Sequence, residues 1–157
     1  MDGIDIGPIR PDEADALFSL FERIVADREG FPHAPPLTRE QHDATWVHPV
    51  AVTVAARIDG RLVGAHYLKP NSPGRAAHIA NAGYIVDAAH RGRGVGRALV
   101  EDSITRAPML GFDAIQFNLV FASNPARALY EELGWIQVGR IPKAVEGEDA
   151  IVYWRAV

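Results

Sequence analysis

The sequence predicts one α/β domain built on a single mixed sheet. Three observations carry this. Strand-like and helix-like segments follow one another in the order β-α-α-β-β-β-α-β-α-β-β. An Asp59-Gly60 pair joins a run rich in Val and Ala to a returning strand-like run, which marks an antiparallel hairpin inside the sheet. A glycine cluster at 91–96 connects a strand-like run to a helix-like run, as in a βα unit.

Residues 4–10 alternate and carry Pro8, which suggests a short edge strand. Pro11-Asp12-Glu13 opens a helix whose first-turn acids suit the dipole. Leu17, Leu20, Phe21, Ile24 and Val25 recur at helical spacing until Gly30. Residues 31–36 form a proline-rich loop, and Thr38 caps a second short helix ending at Trp46. Residues 50–58 and 62–68 read as the hairpin strands, and 78–86 as a third strand. A helix is expected over 95–110, with Pro108 disturbing its last turn and Gly111 stopping it. Residues 114–121 form a strand. Asn124-Pro125 starts a helix that ends at Gly134. Two last strands, 135–141 and 150–155, are joined by a polar loop at 143–149.

A chain of 157 residues suits one domain, 1–157, and buries enough surface to fold without staples. Hydrophobic residues make up 48% and charged residues 23%, which excludes a disordered tail or a coiled coil. The formal charge is −4, against a nucleic-acid-coating role. Cysteine is absent, so there is no thiolate nucleophile and no Cys-based zinc site. The histidines have no metal-ligand spacing, and no metal is expected. No basic, apolar leader and no run near ~20 apolar residues is visible, so a soluble, cytoplasmic setting away from membranes is expected.

The most informative stretch is Arg91-Gly92-Arg93-Gly94-Val95-Gly96. Glycines let backbone N–H groups turn inward, and the following helix adds its dipole. The result is a nest suited to a diphosphate, with Arg91, Arg93 and Arg97 around it. A plain glycine turn with solvated arginines fits the same residues. A Walker A loop is excluded because Arg97-Ala98 follows Gly96. A Rossmann unit fits poorly because an antiparallel hairpin precedes the strand.

Arg-x-x-Gly-x-Gly after a strand resembles the acyl-CoA pyrophosphate loop of the GNAT N-acetyltransferase superfamily. Downstream, Asn124-Pro125-Ala126-Arg127-Ala128-Leu129-Tyr130-Glu131-Glu132-Leu133-Gly134-Trp135 resembles the family's Asn-x-x-Ala-x-x-x-Tyr-x-x-x-Gly-Phe segment, with Trp135 for Phe. Motif order and element order both agree, over almost the whole chain. Asn81-Ala82-Gly83-Tyr84-Ile85-Val86, Phe117-Asn118-Leu119-Val120-Phe121 and Asp149-Ala150 are similar to the fungal branch acting on azetidine-2-carboxylate and related proline analogues.

The resemblance implies the GNAT fold: a mostly antiparallel mixed sheet with two splayed parallel strands, here 78–86 and 114–121, flanked by helices. It implies acetyl-CoA as co-substrate, a small-molecule amine or amino acid as acceptor, direct transfer in a ternary complex, and a homodimer. Ile85 and Val86 would meet the pantetheine arm through backbone, with the Val86 amide polarising the acetyl carbonyl. Arg91, Gly92, Arg93, Gly94, Val95 and Gly96 would hold the diphosphate. Asn124 would contact pantetheine, although a helix cap is its plain role, and Arg127 would approach the adenosine phosphates. Tyr130 matches the general acid that protonates the departing thiolate. The family's strand glutamate base has no counterpart here: the first splayed strand offers His78, Asn81 and Tyr84. Asn81 and Asn118 would orient the amine or the acyl group, and His78 is the remaining candidate base. The early helices, roughly 18–46, and the 143–149 loop are expected to shape the acceptor pocket. A non-catalytic acyl-CoA-binding domain is the alternative function, and a module that keeps only the fold is a third.

Overall fold

The computed structural model describes residues 3–48 and 50–157. Seven strands form one sheet: β1 (Asp5–Pro8), β2 (Val52–Ile58), β3 (Arg61–Pro70), β4 (Ile79–Val86), β5 (Ala114–Phe121), β6 (Ile136–Val145) and β7 (Glu148–Ala156). Their spatial order is β1-β2-β3-β4-β5-β7-β6, and only β4 and β5 are parallel. Four helices flank it: α1 (Ala14–Ala26), α2 (Arg39–Trp46), α3 (Val95–Met109) and α4 (Arg127–Glu132).

Strand alternation divides the core between two faces. Ala65, Tyr67 and Ile85 point to the face where α1 and α2 bury Leu20, Phe21, Val25 and Trp46. Leu68, Ala80, Ala82, Ile115 and Phe117 point the other way, onto Val100 and Ala107 of α3 and Tyr130 of α4. Thr38 caps α2 as expected: its hydroxyl accepts from the Gln41 N–H at 3.1 Å, and the Gln41 side chain returns the bond at 3.0 Å.

The sheet opens in its middle. β4 and β5 pair at three positions, Ile79 with Ala114, Ala80 with Ile115 and Asn81 with Gln116. Beyond Asn81 the ladder ends. β5 carries an extra residue against β7 between Phe117 and Val120, and such a bulge bends its strand away from the neighbour. Asn81 sits at the fork. Its Nδ2 donates to the Gln116 carbonyl at 3.0 Å, and its Oδ1 accepts from the Tyr67 hydroxyl at 3.1 Å.

Two segments differ from expectation. The polar 143–149 stretch is a hairpin, not an open loop. β6 runs to Val145, β7 starts at Glu148, and the two pair there. Glu146 (φ 50°) and Gly147 (φ 81°) make the turn, and both left-handed residues suit a tight two-residue hairpin. The helix expected from Asn124 begins at Arg127 instead. Asn124 first closes a turn, its Oδ1 accepting from the Ala126 N–H at 2.9 Å and its carbonyl from the Arg127 N–H at 3.2 Å.

Candidate active site

The fork opens into two adjoining cavities. The larger, about 530 Å³, lies between the C-terminal end of α1, the 90–97 loop and the 121–130 segment. The smaller, about 190 Å³, lies toward the α1–α2 face and is lined by Phe31, Tyr67, Asn81 and Asn118 among others. Gly30, Phe31, Tyr84, Asn124 and Tyr130 line both, so the spaces meet beside Tyr130.

The larger cavity has the features of an anion cradle. Gly94 caps α3 in the left-handed region at φ 86°, and a Cβ built there meets no atom within 4 Å. The first N–H groups of α3 have no intrahelical acceptor and carry the positive end of the helix dipole. Gly92, Gly94, Val95 and Gly96 line this space, as do Arg28, His90, Arg91 and Arg97. Glu29 holds Arg91 at 2.6 Å, and Glu132 holds Arg97 at 2.7 Å. These exposed pairs keep both guanidiniums near the loop at little energetic cost. A diphosphate group fits this set of donors.

Val86 presents its peptide to the gap. The Asp87 N–H donates across to the Val63 carbonyl of β3 at 2.8 Å, so strand alternation turns the Val86 N–H to the opposite edge, where β5 has left. A donor pointing into an opened strand edge can polarise a carbonyl placed there. Ile85 turns its backbone toward β3 and meets the cavity as part of its wall.

Tyr130 is 8% exposed. Its ring packs on Phe117 with centroids 4.6 Å apart and lies near Trp135, Tyr84 and Tyr153. Among the described residues its hydroxyl has no hydrogen-bond partner. Burial, with Tyr153 adding to it, pushes the phenol well above its usual range. Such a group stays protonated and can donate, but makes a poor base.

The other expected site residues divide. Asn81 and Asn118 both line the smaller cavity. Asn118 is exposed, accepts from Gln116 Nε2 at 3.0 Å and donates to Asn71 Oδ1 at 2.7 Å. Arg93 is exposed and lines neither cavity. Arg127 is turned away: it donates to the Tyr153 hydroxyl at 3.0 Å and the Ala122 carbonyl at 2.9 Å, pinning α4 to β7. His78 is exposed, precedes β4 and lines neither cavity. No residue of 143–149 lines a cavity either, although Glu146 pairs with Arg28 at the mouth of the larger one. The early region contributes through Ile24 of α1 and residues 28–32 after it, while α2 lines neither space.

Sequence reasoning missed Tyr67, Glu29 and Arg28. Tyr67 lies on β3 between β2 and β4, where only register shows which face it serves. Glu29 and Arg28 sit at a helix end and read as ordinary surface charges.

Residues 16–135 match the Acetyltransferase (GNAT) family. The chain is 42% identical to N-acetyltransferase aca1 of Schizosaccharomyces pombe over 109 residues, which is 66% of this chain and 52% of that protein. The chain spans about half or less of the length of these curated relatives and of others it matches. Among solved structures, a GCN5-related N-acetyltransferase from Kribbella flavida superposes with a TM-score of 0.91 at 35% identity, covering 98% of both chains. YncA, an acetyltransferase of Salmonella typhimurium solved with its cofactor acetyl-CoA, shares the fold at a TM-score of 0.85 and 15% identity, over 98% of this chain and 94% of that one. The fork between β4 and β5, the glycine cradle at α3 and these likenesses agree: the chain belongs to the GNAT acetyltransferase family.

Proposed function

We propose that the protein transfers the acetyl group of acetyl-CoA directly to the amine of a small molecule, with both substrates bound at once. The carrying observation is that Tyr130 forms part of the wall of both cavities. A group that faces the thioester space and the acceptor space together stands where the two substrates react.

In this reading the loop from Arg91 to Gly96 and the α3 N-terminus hold the diphosphate, and the Val86 N–H polarises the acetyl carbonyl. The acceptor nitrogen bonds to the carbonyl carbon, the carbon–sulfur bond breaks, and Tyr130 gives its proton to the departing thiolate. The amine's own proton leaves to solvent, from which Tyr130 is reprotonated. Among the described residues the smaller cavity has no aspartate or glutamate on its wall, so deprotonation falls to water or to the acceptor's own equilibrium. Asn81 and Asn118 orient the incoming group. The resemblance of Asn81–Val86 and Phe117–Phe121 to the branch acting on azetidine-2-carboxylate supports an amino-acid-sized acceptor.

The test is CoA thiol release with acetyl-CoA and a panel of small amines, proline analogues included. Amine-dependent release with intersecting initial-rate lines is expected. Tight acetyl-CoA binding without release from any amine would instead identify a binding domain, and parallel lines would reject direct transfer.

A further inference from the structure

Tyr67 and Asn81 both line the smaller cavity, and their polar ends meet at 3.1 Å. The reaction as described gives the Tyr67 hydroxyl no task of its own. Its ring is held on three sides. Gly83 leaves room for it across β4, and Trp46 meets it at right angles with centroids 5.1 Å apart. The Lys69 ammonium lies 4.8 Å from its centre. Contacts of this kind fix a ring's position and so the place of its hydroxyl.

The hydrogen bonds leave two acceptors side by side. The Tyr67 hydroxyl gives its one proton to Asn81 Oδ1, and the Asn81 NH₂ donates to the Gln116 carbonyl at 3.0 Å. These two partners fix which end of the amide carries the oxygen. Among the described residues nothing else donates to Asn81 Oδ1, and nothing donates to the Tyr67 oxygen. Each oxygen therefore keeps an unused lone pair. Burial pushes the Tyr67 phenol up to about 12, so it stays a neutral hydroxyl at ordinary pH. A nitrogen attacking a thioester carbonyl gains positive charge as its bond to carbon forms. Its N–H groups then become stronger donors, and acceptors already in place hold the transition state better than the free amine. They also turn the nitrogen lone pair toward the carbonyl.

We propose that the Tyr67 hydroxyl oxygen and Asn81 Oδ1 together accept the N–H groups of the attacking amine, which makes Tyr67 a catalytic residue of the transfer. This rests on the transferase reading above and adds a residue to the same site. A primary amine offers an N–H to each oxygen. A secondary amine offers one, which Asn81 alone receives. The bonds made and broken stay as described: nitrogen joins the carbonyl carbon, the carbon–sulfur bond breaks, and the amine's proton leaves to solvent. Tyr67 and Asn81 hold hydrogen bonds and move no proton.

The experiment compares wild type and Tyr67→Phe in thiol release. The acceptors are L-leucine with N-methyl-L-leucine, and benzylamine with N-methylbenzylamine. The readout is kcat/KM for each acceptor, and differences in amine basicity within a pair cancel when the two proteins are compared. Tyr67→Phe keeps the ring, so acetyl-CoA affinity by calorimetry and the denaturant midpoint should stay close to wild type. It should lower kcat/KM for the primary amines at least about tenfold, what a hydrogen bond to a developing charge is worth. The N-methyl amines should stay within about threefold. An equal fall in both members of a pair overturns the proposal, because the hydroxyl then only steadies Asn81. Unchanged rates overturn it too, as does a wild type that accepts only the N-methyl amines. Where only the primary amines react, Tyr67→Phe in an Asn81→Ala background decides. A further fall of at least about threefold supports direct contact, and no further fall overturns it. Thiol release from none of the four overturns the proposal, and the wider amine panel then tells whether the transferase reading falls with it.

Discussion

The Tyr67 ring lies directly on Gly83: a Cβ at that glycine would sit 2.6 Å from Tyr67 Cε2 and 2.9 Å from its hydroxyl oxygen. The two residues face each other across β3 and β4, and the absent side chain is what lets the ring lie flat along the acceptor cavity. From there the hydroxyl reaches Asn81 at the fork. One missing methyl group thus sets the shape of the site and the anchoring of Asn81, the last residue to hold β4 to β5 before the fork.

Gly83→Ala should therefore cost about 1–3 kcal/mol, as an overpacked site does. Denaturant unfolding measures it. In a Tyr67→Ala background the penalty should largely vanish, because the clashing ring is gone. An equal penalty in both backgrounds would contradict the contact.

Gly94→Glu should weaken acetyl-CoA binding and, because any side chain at φ 86° strains the backbone, also lower stability by about 1 kcal/mol. The position has φ 86° and open space above it, so the new side chain would enter the cradle and bring a negative charge toward a dianion. Calorimetry should show at least about tenfold weaker binding, near 1.4 kcal/mol, while the folded baseline persists. Unchanged affinity would remove the cradle from the account.

Much of this cradle was legible in the sequence because it is local. Glycines between a strand and a helix have a physical meaning within six residues, whereas the helix expected from Asn124-Pro125 starts only at Arg127 because Asn124 first closes a turn. The hairpin turn at Glu146-Gly147 was hidden by its polar flanks, which read as loop until β6 and β7 are seen paired. Asn81 was singled out for its chemistry. Its second task, stapling β4 to the Gln116 carbonyl, depends on a parallel register that no local pattern reveals. Tyr67 was lost for the same reason: the irregular pairing at Ala56 and Arg57 lies between the hairpin turn and the face it serves.

A buried network behind the site makes a pH prediction. Burial opposes ionisation of Asp102, but hydrogen bonds from His66 at 2.7 Å and Arg106 at 2.9 Å prevail and hold its pKa at about 2, below the ordinary 3.8. A carboxylate depressed on folding contributes stability above its unfolded pKa and loses it as pH falls through the folded one. The stability advantage of wild type over Asp102→Asn should be full above pH 3.8 and shrink toward pH 2. A pH-independent difference would show that the pair contributes no ionic stabilisation.

The two cavity asparagines should separate. Asn81→Ala leaves the Gln116 carbonyl and the Tyr67 hydroxyl unpaired, so it should lower both stability, by about 1–3 kcal/mol, and kcat/KM. Asn118→Ala lies at an exposed position and should lower kcat/KM with stability within about 0.5 kcal/mol. Neither should add or remove a basic limb in the pH profile, since amides do not titrate. That limb should follow the acceptor's amine pKa when two acceptors are compared. A limb fixed near a histidine or carboxylate value would reveal an enzyme base.

The central claim is that Tyr130, at the junction of the two cavities, supplies the proton to the departing thiolate. Single-turnover thiol release by Tyr130→Phe tests it most directly, because the change removes one hydroxyl and leaves the ring packed on Phe117. The account predicts a chemical step slowed by roughly 10²–10⁴, with acetyl-CoA affinity nearly unchanged. A single-turnover rate equal to that of wild type would contradict it.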